Sequence, residues 1–183
     1  YGHGLIEVAR VMDAAAIPFL VVDSFYEALK CRQHGIRTPI LVIGYSTAEQ
    51  WSQTAIRDCG FTIVGLDHLS KIADGLRRPQ KFHLKIDTGM CRQGILAGEI
   101  DHAVKLIKKT PNIILEGICS HFSDADGEDE TFTLKQIAAW NAAAASFKKE
   151  FPGIRYLHIA ATPGLRWSGR ADANVCRLGM GLY

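Results

Sequence analysis

The sequence has 183 residues, of which 48% are hydrophobic and 22% charged, and its formal net charge is +2. This composition is typical of one globular domain that is large enough to bury a core. The basic residues are scattered and form no stripe, so no nucleic-acid partner is predicted. No apolar run approaches eighteen residues and no signal peptide is visible, so we predict a cytoplasmic protein without membrane contact.

The five cysteines argue against metal and redox chemistry. They are odd in number and widely spaced, and none belongs to a C-x-x-C pair, so zinc binding and thiol exchange are disfavoured. Reduced thiols in a cytosolic protein explain them better. We therefore predict no metal site.

Short apolar segments alternate with helical patterns along the chain. Apolar residues from Leu5 to Met12 recur at helical spacing, and Asp23-Ser24 can cap the helix that follows the first apolar segment. The segments predicted as strands are, in chain order, residues 19–22, 40–43, 61–64, 82–86, 113–119, 156–159 and 174–179. Because the intervals between them are mostly helical, we predict a parallel sheet built from β/α units.

The number and spacing of these units favour a TIM-type (β/α)8 barrel. The chain starts at Tyr1 rather than at a methionine, and its last residues, 179–183, resemble the start of another strand. We therefore expect an incomplete barrel that lacks its first strand, taken from within a longer protein. A doubly wound open sheet is the alternative, and strand spacing alone does not separate the two folds.

Polar residues follow the predicted strands at the ends where parallel α/β proteins bind ligands. Because these ends all face the same way, we expect the residues to share one concavity. Glycine amides and a threonine hydroxyl suit a phosphate, whereas arginines suit oxygens or a ring nitrogen. The pattern predicts a site for an anionic, partly aromatic ligand. The candidate residues are Arg92, His121, His158, Thr162, Arg177, Gly179 and Met180.

Each candidate also has a structural interpretation. Lone histidines such as His121 and His158 more often make structural hydrogen bonds than perform chemistry. Gly179 is compatible with a simple turn, and Arg177 with an ordinary ion pair. Lys85 differs, because it lies within the alternation of a strand, where a charge needs a partner or a modification. Only the shared location of the set favours a functional site.

The same segments resemble the N-terminal barrel domain of the alanine racemases, a family of fold-type III enzymes that use pyridoxal 5'-phosphate (PLP). Tyr1-Gly2-His3-Gly4 resembles the end of the family motif Lys-Ala-Asn-Ala-Tyr-Gly-His-Gly. Residues 84–94 resemble the family's Lys-x-Asp-Thr-Gly-Met-x-Arg-x-Gly motif. Residues 120–122, 158–162 and 174–183 resemble further motifs in the family's order, so the resemblance covers essentially the whole chain.

The resemblance implies a PLP site. It assigns to the cofactor Tyr1, Arg92, His121, His158, Thr162, Arg177, Gly179 and Met180. Tyr1, Thr162 and residues 179–180 would bind the phosphate, and Arg177 would face the pyridine nitrogen with His121 beside it. Because a guanidinium keeps its proton, the ring nitrogen would stay largely unprotonated.

Three further roles follow from the resemblance. Arg92 would approach the phenolic oxygen of the cofactor and the carboxylate of the substrate. Lys85 matches the lysine that the family carbamylates, which would turn a cation into an anion that pairs with Arg92. His158 would either contact the cofactor ring or act on it through a neighbouring residue. Two residues depart from the family motifs, because Cys91 replaces a usual glycine and Ala161 a usual asparagine.

The implied activity is the PLP-dependent racemisation of L-alanine to D-alanine for peptidoglycan, by a homodimer. Residues 1–183 would be the barrel domain, and the C-terminal β domain would be absent. The catalytic lysine would precede Tyr1, and the second base would be a tyrosine of the partner's C-terminal domain, so the chain alone is expected to be inactive. The alternatives are a racemase of serine or another small amino acid, and a non-catalytic PLP-binding barrel.

Overall fold

A computed structural model describes residues 2–52 and 57–183. The strands are Leu20–Val22 (β1), Ile40–Val42 (β2), Cys59–Ile63 (β3), Gln80–Lys85 (β4), Ile113–Cys119 (β5) and Tyr156–His158 (β6). The α-helices are Leu5–Ala14 (α1), Phe25–Gln33 (α2), Ala48–Ser52 (α3), Leu66–Gly75 (α4), Ile100–Lys109 (α5) and Thr131–Glu150 (α6). Short 3-10 turns cover Ala97–Glu99, Thr162–Trp167 and Met180–Leu182. Within the described ranges, no helix has the length and apolarity needed to cross a bilayer.

The sheet follows chain order from β1 to β6, and each strand is parallel to the next. A doubly wound sheet would reverse its strand order at a switch point, so this order excludes that alternative. The sheet also curls. Phe19, just before β1, meets Tyr156 of β6 with 5.0 Å between ring centroids, although β1 and β6 lie at opposite ends of the strand order. The fold is therefore the predicted incomplete (β/α) barrel.

Helix α6 shows how the helices cover the outside of the sheet. Its buried residues Ile137, Trp140, Ala144 and Phe147 are three or four positions apart and form one apolar stripe. Burying each large side chain stabilises the fold by about 1.5–3 kcal/mol. At the start of α2, Ser24 Oγ accepts a hydrogen bond from the Glu27 amide at 3.3 Å, which confirms the predicted cap.

The prediction of a strand over residues 174–179 was wrong. In the described chain this segment makes a single parallel bridge, between Ala161 and Arg177. The backbone bonds do not form a ladder, because the amides of Asn174 and Val175 both donate to the Leu157 carbonyl, and the side chain of Asn174 adds two further bonds. Asn174 Oδ1 accepts from the Leu157 amide at 2.8 Å, and Asn174 Nδ2 donates to the Arg155 carbonyl at 2.8 Å.

The loop after β4 turns back sharply and ends at Gly94. Gly94 has a φ of +135°, and its amide donates to the Val64 carbonyl at 2.8 Å. A Cβ atom at this position would lie 2.4 Å from the Asp87 nitrogen and 2.7 Å from the Ile86 carbonyl carbon. Only glycine meets both conditions, and the loop thereby keeps Arg92 at the carboxyl end of β4.

We expect Gly94→Ala to lower the free energy of unfolding by at least about 2 kcal/mol, because it adds backbone strain and a clash with main-chain atoms. Gly98→Ala is the matched control, since a methyl group there meets no atom within 4 Å. Denaturant unfolding of both variants provides the measurement. Equal midpoints for the two variants would show that the turn is not constrained as described.

Candidate active site

Arg177 is the most highly connected side chain at the carboxyl ends of the strands. Its Nη1 donates to the His158 carbonyl at 3.0 Å and contacts His158 Nδ1 at 2.6 Å. Its Nη2 donates to the carbonyls of Ser120 at 2.8 Å and Ile159 at 2.9 Å, and contacts His121 Nδ1 at 3.0 Å. One guanidinium therefore joins the ends of β5 and β6.

These contacts fix the protons on both histidines. A guanidinium offers only hydrogens, so His158 and His121 must accept through Nδ1, and each neutral ring must carry its proton on Nε2. No acceptor in the described part of the chain pairs with Arg177 Nε. Burial lowers the pKa of Arg177, but a guanidinium stays protonated in proteins. Arg177 thus keeps one donor for an acceptor outside the described chain.

His121 is half-buried and surrounded by cations. Burial, followed by the charges of Arg177, Lys85 and Arg92, lowers the pKa of His121 to about 4. The ring is therefore neutral near pH 7. The influence of Lys85 and Arg92 on His121 also shows that the residues after β4 lie beside those after β5, as predicted.

Two backbone amides converge on the hydroxyl of Thr162. Its Oγ1 accepts from the Gly179 amide at 3.1 Å and from the Gly181 amide at 3.2 Å. Met180 lies between them with an exposed side chain, so any ligand contact there is through its backbone. Amides that point to one acceptor suit a phosphate oxygen, but a bound phosphate would have to replace the Thr162 hydroxyl as that acceptor.

The phosphate set predicted from sequence is thus largely brought together. Tyr1, its remaining member, lies outside the described residues. Sequence reasoning did not anticipate that the Gly181 amide joins the Gly179 amide at the Thr162 hydroxyl. It also missed Ser120, whose carbonyl accepts from Arg177.

Lys85 points to the same end of the barrel. Its Nζ donates to Gln93 Oε1 at 3.2 Å, and no carboxylate of the described residues lies within ion-pair distance. Burial, and to a smaller extent the charges of Arg92 and Arg177, lowers the pKa of Lys85. Arg92 is exposed on the loop after β4. The two cations therefore share a region that lacks a compensating anion.

The two departures from the family motifs have local consequences. Cys91 has a φ of +55°, a left-handed conformation that costs a side-chain-bearing residue about 1 kcal/mol and a glycine nothing. Ala161 has no amide side chain to hold its loop. The loop is held through its backbone instead, by the bridge to Arg177 and by Cys176 Sγ, which donates to the Ala161 carbonyl at 3.5 Å.

These groups fit a phosphorylated pyridine. Arg177 Nε can donate to a ring nitrogen, and the neutral His121 beside it adds no further positive charge. The amides of Gly179 and Gly181 with the Thr162 hydroxyl suit a phosphate. His158 is fully buried, with one ring nitrogen on Arg177 and the other on His83, so its geometry favours a role through Arg177.

The lowered pKa of His121 makes stability depend on pH. Below pH 6.5 the unfolded chain binds a proton on this residue, whereas the folded chain does so only near pH 4. Stability should therefore fall as the pH falls from about 6.5 to 4. We expect His121→Gln to reduce the loss between pH 7 and pH 5 by about 1–2 kcal/mol in denaturant unfolding.

His102→Gln, on the exposed surface of α5, is the control and should leave the pH dependence unchanged. An NMR titration gives the direct measurement. A His121 that titrates near 6.5 in the folded protein would contradict the neutral site described above.

The whole chain, residues 1–183, matches the family model described as "Alanine racemase, N-terminal domain". It is 33% identical over 187 residues to the alanine racemase of Methanococcus maripaludis, covering 100% of this chain and 50% of that protein. The identity to the alanine racemase of Syntrophobacter fumaroxidans is also 33%, covering 100% of this chain and 49% of that protein.

Among solved structures, the alanine racemase of Clostridium difficile 630 superimposes with a TM-score of 0.88 at 29% identity, covering 100% of this chain and 52% of that one. The chain therefore spans about half the length of the curated relatives it matches. The family model matches the chain over its full length, in agreement with the motifs and the barrel. The chain therefore belongs to the alanine racemase family and corresponds to the N-terminal domain of that family.

Proposed function

We propose that the protein carrying this chain is a PLP-dependent alanine racemase, and that residues 1–183 form its cofactor-binding barrel domain. The observation that carries the proposal is the state of Arg177. This guanidinium is held by two histidines and three carbonyls while its Nε remains available. These contacts fix the plane of the guanidinium, so its Nε points in a defined direction.

PLP, when bound, supplies an electron sink that makes the α-proton of an amino acid removable. Arg177 would donate to the ring nitrogen and keep its own proton, which holds that nitrogen largely unprotonated. The sink is then weaker than with an acidic partner at the nitrogen. This suits a racemase, because a carbanion that is less strongly delocalised undergoes fewer side reactions.

The other site residues of the chain would bind the cofactor and orient the substrate. Thr162 and the amides of residues 179–181 would hold the phosphate, together with Tyr1. Arg92, exposed at the end of its loop, would reach the phenolic oxygen and the substrate carboxylate, for which a guanidinium fork is well shaped. His121 would remain neutral beside the ring, and His158 would act through Arg177.

The bases that move the α-proton belong to the rest of the proposed enzyme. We propose a catalytic lysine shortly before Tyr1 and a tyrosine from the C-terminal domain of a second subunit, so that each subunit of a homodimer completes the other's site. The proposed reaction converts L-alanine to D-alanine for peptidoglycan in the cytoplasm. The similarity to proteins named alanine racemase supports this substrate.

Expression of the full-length protein with PLP tests the proposal. We expect a visible cofactor absorbance band and release of D-alanine from L-alanine, with lower rates on L-serine and other small amino acids. A folded protein that binds no PLP would refute the proposal. PLP binding without turnover would support a non-catalytic barrel, and a preference for serine would revise the substrate.

A variant pair isolates the role of Arg177. Arg177→Lys keeps the charge but loses the planar fork, so we expect kcat/KM to fall by about 100-fold or more. Arg166→Lys is the matched control, because Arg166 is exposed and pairs with Glu130 at 2.8 Å. Equal activities of the two variants would exclude Arg177 from the mechanism.

We further propose that Lys85 is carbamylated. Its neutral amine would attack CO2, forming an N–C bond and releasing one proton to solvent, and the carbamate would carry a charge of −1. Three observations support this modification: no described carboxylate lies within ion-pair distance of Lys85 Nζ although the charge of Asp87 acts on it, the pKa of Lys85 is lowered, and Arg92 is nearby. The product would provide the anion that this cationic region lacks.

Carbon-13 NMR of the protein in labelled bicarbonate tests the modification. We expect a carbamate resonance that is lost in Lys85→Met and kept in Lys81→Met, a lysine four positions earlier on β4. Loss of the anion should reduce kcat/KM by about 10-fold or more. A wild-type protein without the resonance would show that Lys85 remains an ammonium group.

A further inference from the structure

A chain of buried polar side chains continues from Arg177 through the inside of the barrel. Arg177 Nη1 lies 2.6 Å from His158 Nδ1, and His158 Nε2 lies 2.7 Å from His83 Nδ1. The other nitrogen of that ring, His83 Nε2, lies 3.9 Å from Glu116 Oε2. His158 and His83 are almost completely buried. The series runs from the carboxyl ends of the strands toward the opposite mouth of the barrel.

The Arg177 end of this series sets the direction of hydrogen bonding, and the Glu116 end, an electrostatic contact of 3.9 Å, favours the same direction. Arg177 can only donate, so His158 accepts on Nδ1 and must donate from Nε2 to His83. His83 then accepts on Nδ1 and carries its proton on Nε2, facing Glu116. A carboxylate can only accept. In the reversed arrangement, a proton on His158 Nδ1 would face the hydrogens of Arg177, and the lone pair of His83 Nε2 would face the carboxylate of Glu116.

The backbone makes room for this arrangement at one position. The pairing of β4 with β5 shifts register, because Phe82 pairs with Leu115 while His83 pairs with Gly117. Glu116 is thus the extra residue of a bulge, a device that redirects a side chain. A Cβ atom on Gly117 would lie 2.8 Å from Cε1 and Nδ1 of His83 and 2.8 Å from the Tyr156 carbonyl oxygen.

The charges agree with the proton positions. Burial lowers the pKa of His158 and of His83, so both rings are neutral. His83 first, and Lys81 after it, lower the pKa of Glu116 against the effect of burial, so Glu116 is ionised. Lys81 Nζ lies 3.4 Å from Glu116 Oε1, and Arg155 Nη1 lies 3.8 Å from the same oxygen. The series therefore ends in a carboxylate with two partly exposed cations beside it, whose contribution to its position is small.

We propose that His83 and Glu116 are positioning residues for Arg177. Through His158, the hydrogen bond of His83 and the negative charge of Glu116 make His158 Nδ1 a stronger acceptor for Arg177, because both polarise the histidine rings in the same direction. The guanidinium is thereby held with its Nε toward the ligand. The geometry stands without the proposed function, whereas the effect on turnover rests on it.

Nitrogen-15 NMR of the full-length protein labelled at histidine tests the geometry. In the wild type we expect His158 and His83 to be protonated on Nε2 and unprotonated on Nδ1, with the signals assigned by His158→Gln and His83→Gln. A proton on Nδ1 of either ring would overturn the proposal. This measurement does not depend on racemase activity.

Three variants test the influence of Glu116. Glu116→Leu removes the carboxylate, and Gly117→Ala displaces the His83 ring without removing a polar group. In both, the His158 Nδ1 resonance should move toward that of an imidazole nitrogen that accepts no hydrogen bond. Lys81→Met removes the nearer ion pair of Glu116 but keeps the carboxylate, and it should leave the resonance unchanged.

Kinetics and unfolding separate positioning from simple stabilisation. We expect kcat/KM for alanine to fall on the order of 10-fold in Glu116→Leu and less than 2-fold in Lys81→Met. The larger value is similar to the effect of residues that orient metal ligands through a hydrogen bond. If Glu116→Leu lowers the unfolding midpoint but leaves the His158 resonance or kcat/KM unchanged, the residue is only structural and the proposal fails. If the wild type does not racemise alanine, the proposed function fails, and the NMR result alone decides the geometry.

Discussion

A buried cation that can only donate hydrogen bonds is the constraint on which the site depends. Arg177 reaches its place from a segment without a strand ladder, and it satisfies carbonyls at the ends of both β5 and β6. Because it accepts nothing, it dictates the tautomers of His158 and His121. One side chain therefore sets the proton positions of its neighbours and the shape of the surface offered to a ligand.

The distribution of charge around this cation determines what can bind. Lys85, Arg92 and Arg177 act on one another and on His121, which responds by staying neutral. A half-buried region with several cations and no carboxylate partner attracts anions, since an uncompensated charge is costly away from water. A phosphate, a carboxylate and a carbamate would each supply what the region lacks.

Sequence reasoning predicted the barrel correctly, because its strands depend on short local patterns, whereas the roles of the site residues stay predictions. The apolar segments gave the parallel strands, and the motif residues after them meet as expected. It failed at residues 174–179, where single backbone bonds and the side chain of Asn174 attach the segment without a regular ladder. It also missed His83 and Glu116, because strict alternation along β5 does not anticipate a bulge that turns Glu116 toward His83. The register shift between β4 and β5 becomes visible only when the two strands are seen paired in the structure.

The attachment of the last ten residues has an energetic consequence. Residues 174–183 are attached by single backbone bonds, one bridge and the side chains of Asn174 and Arg177, so local opening of this segment would break these bonds but no regular ladder. Local opening of this kind costs less than global unfolding. Arg177 and the Gly179 and Gly181 amides all lie on it, so separation dismantles the recognition surface as a unit. A ligand that binds this surface would therefore stabilise the ordered form of residues 174–183, and the stabilisation would grow with ligand concentration.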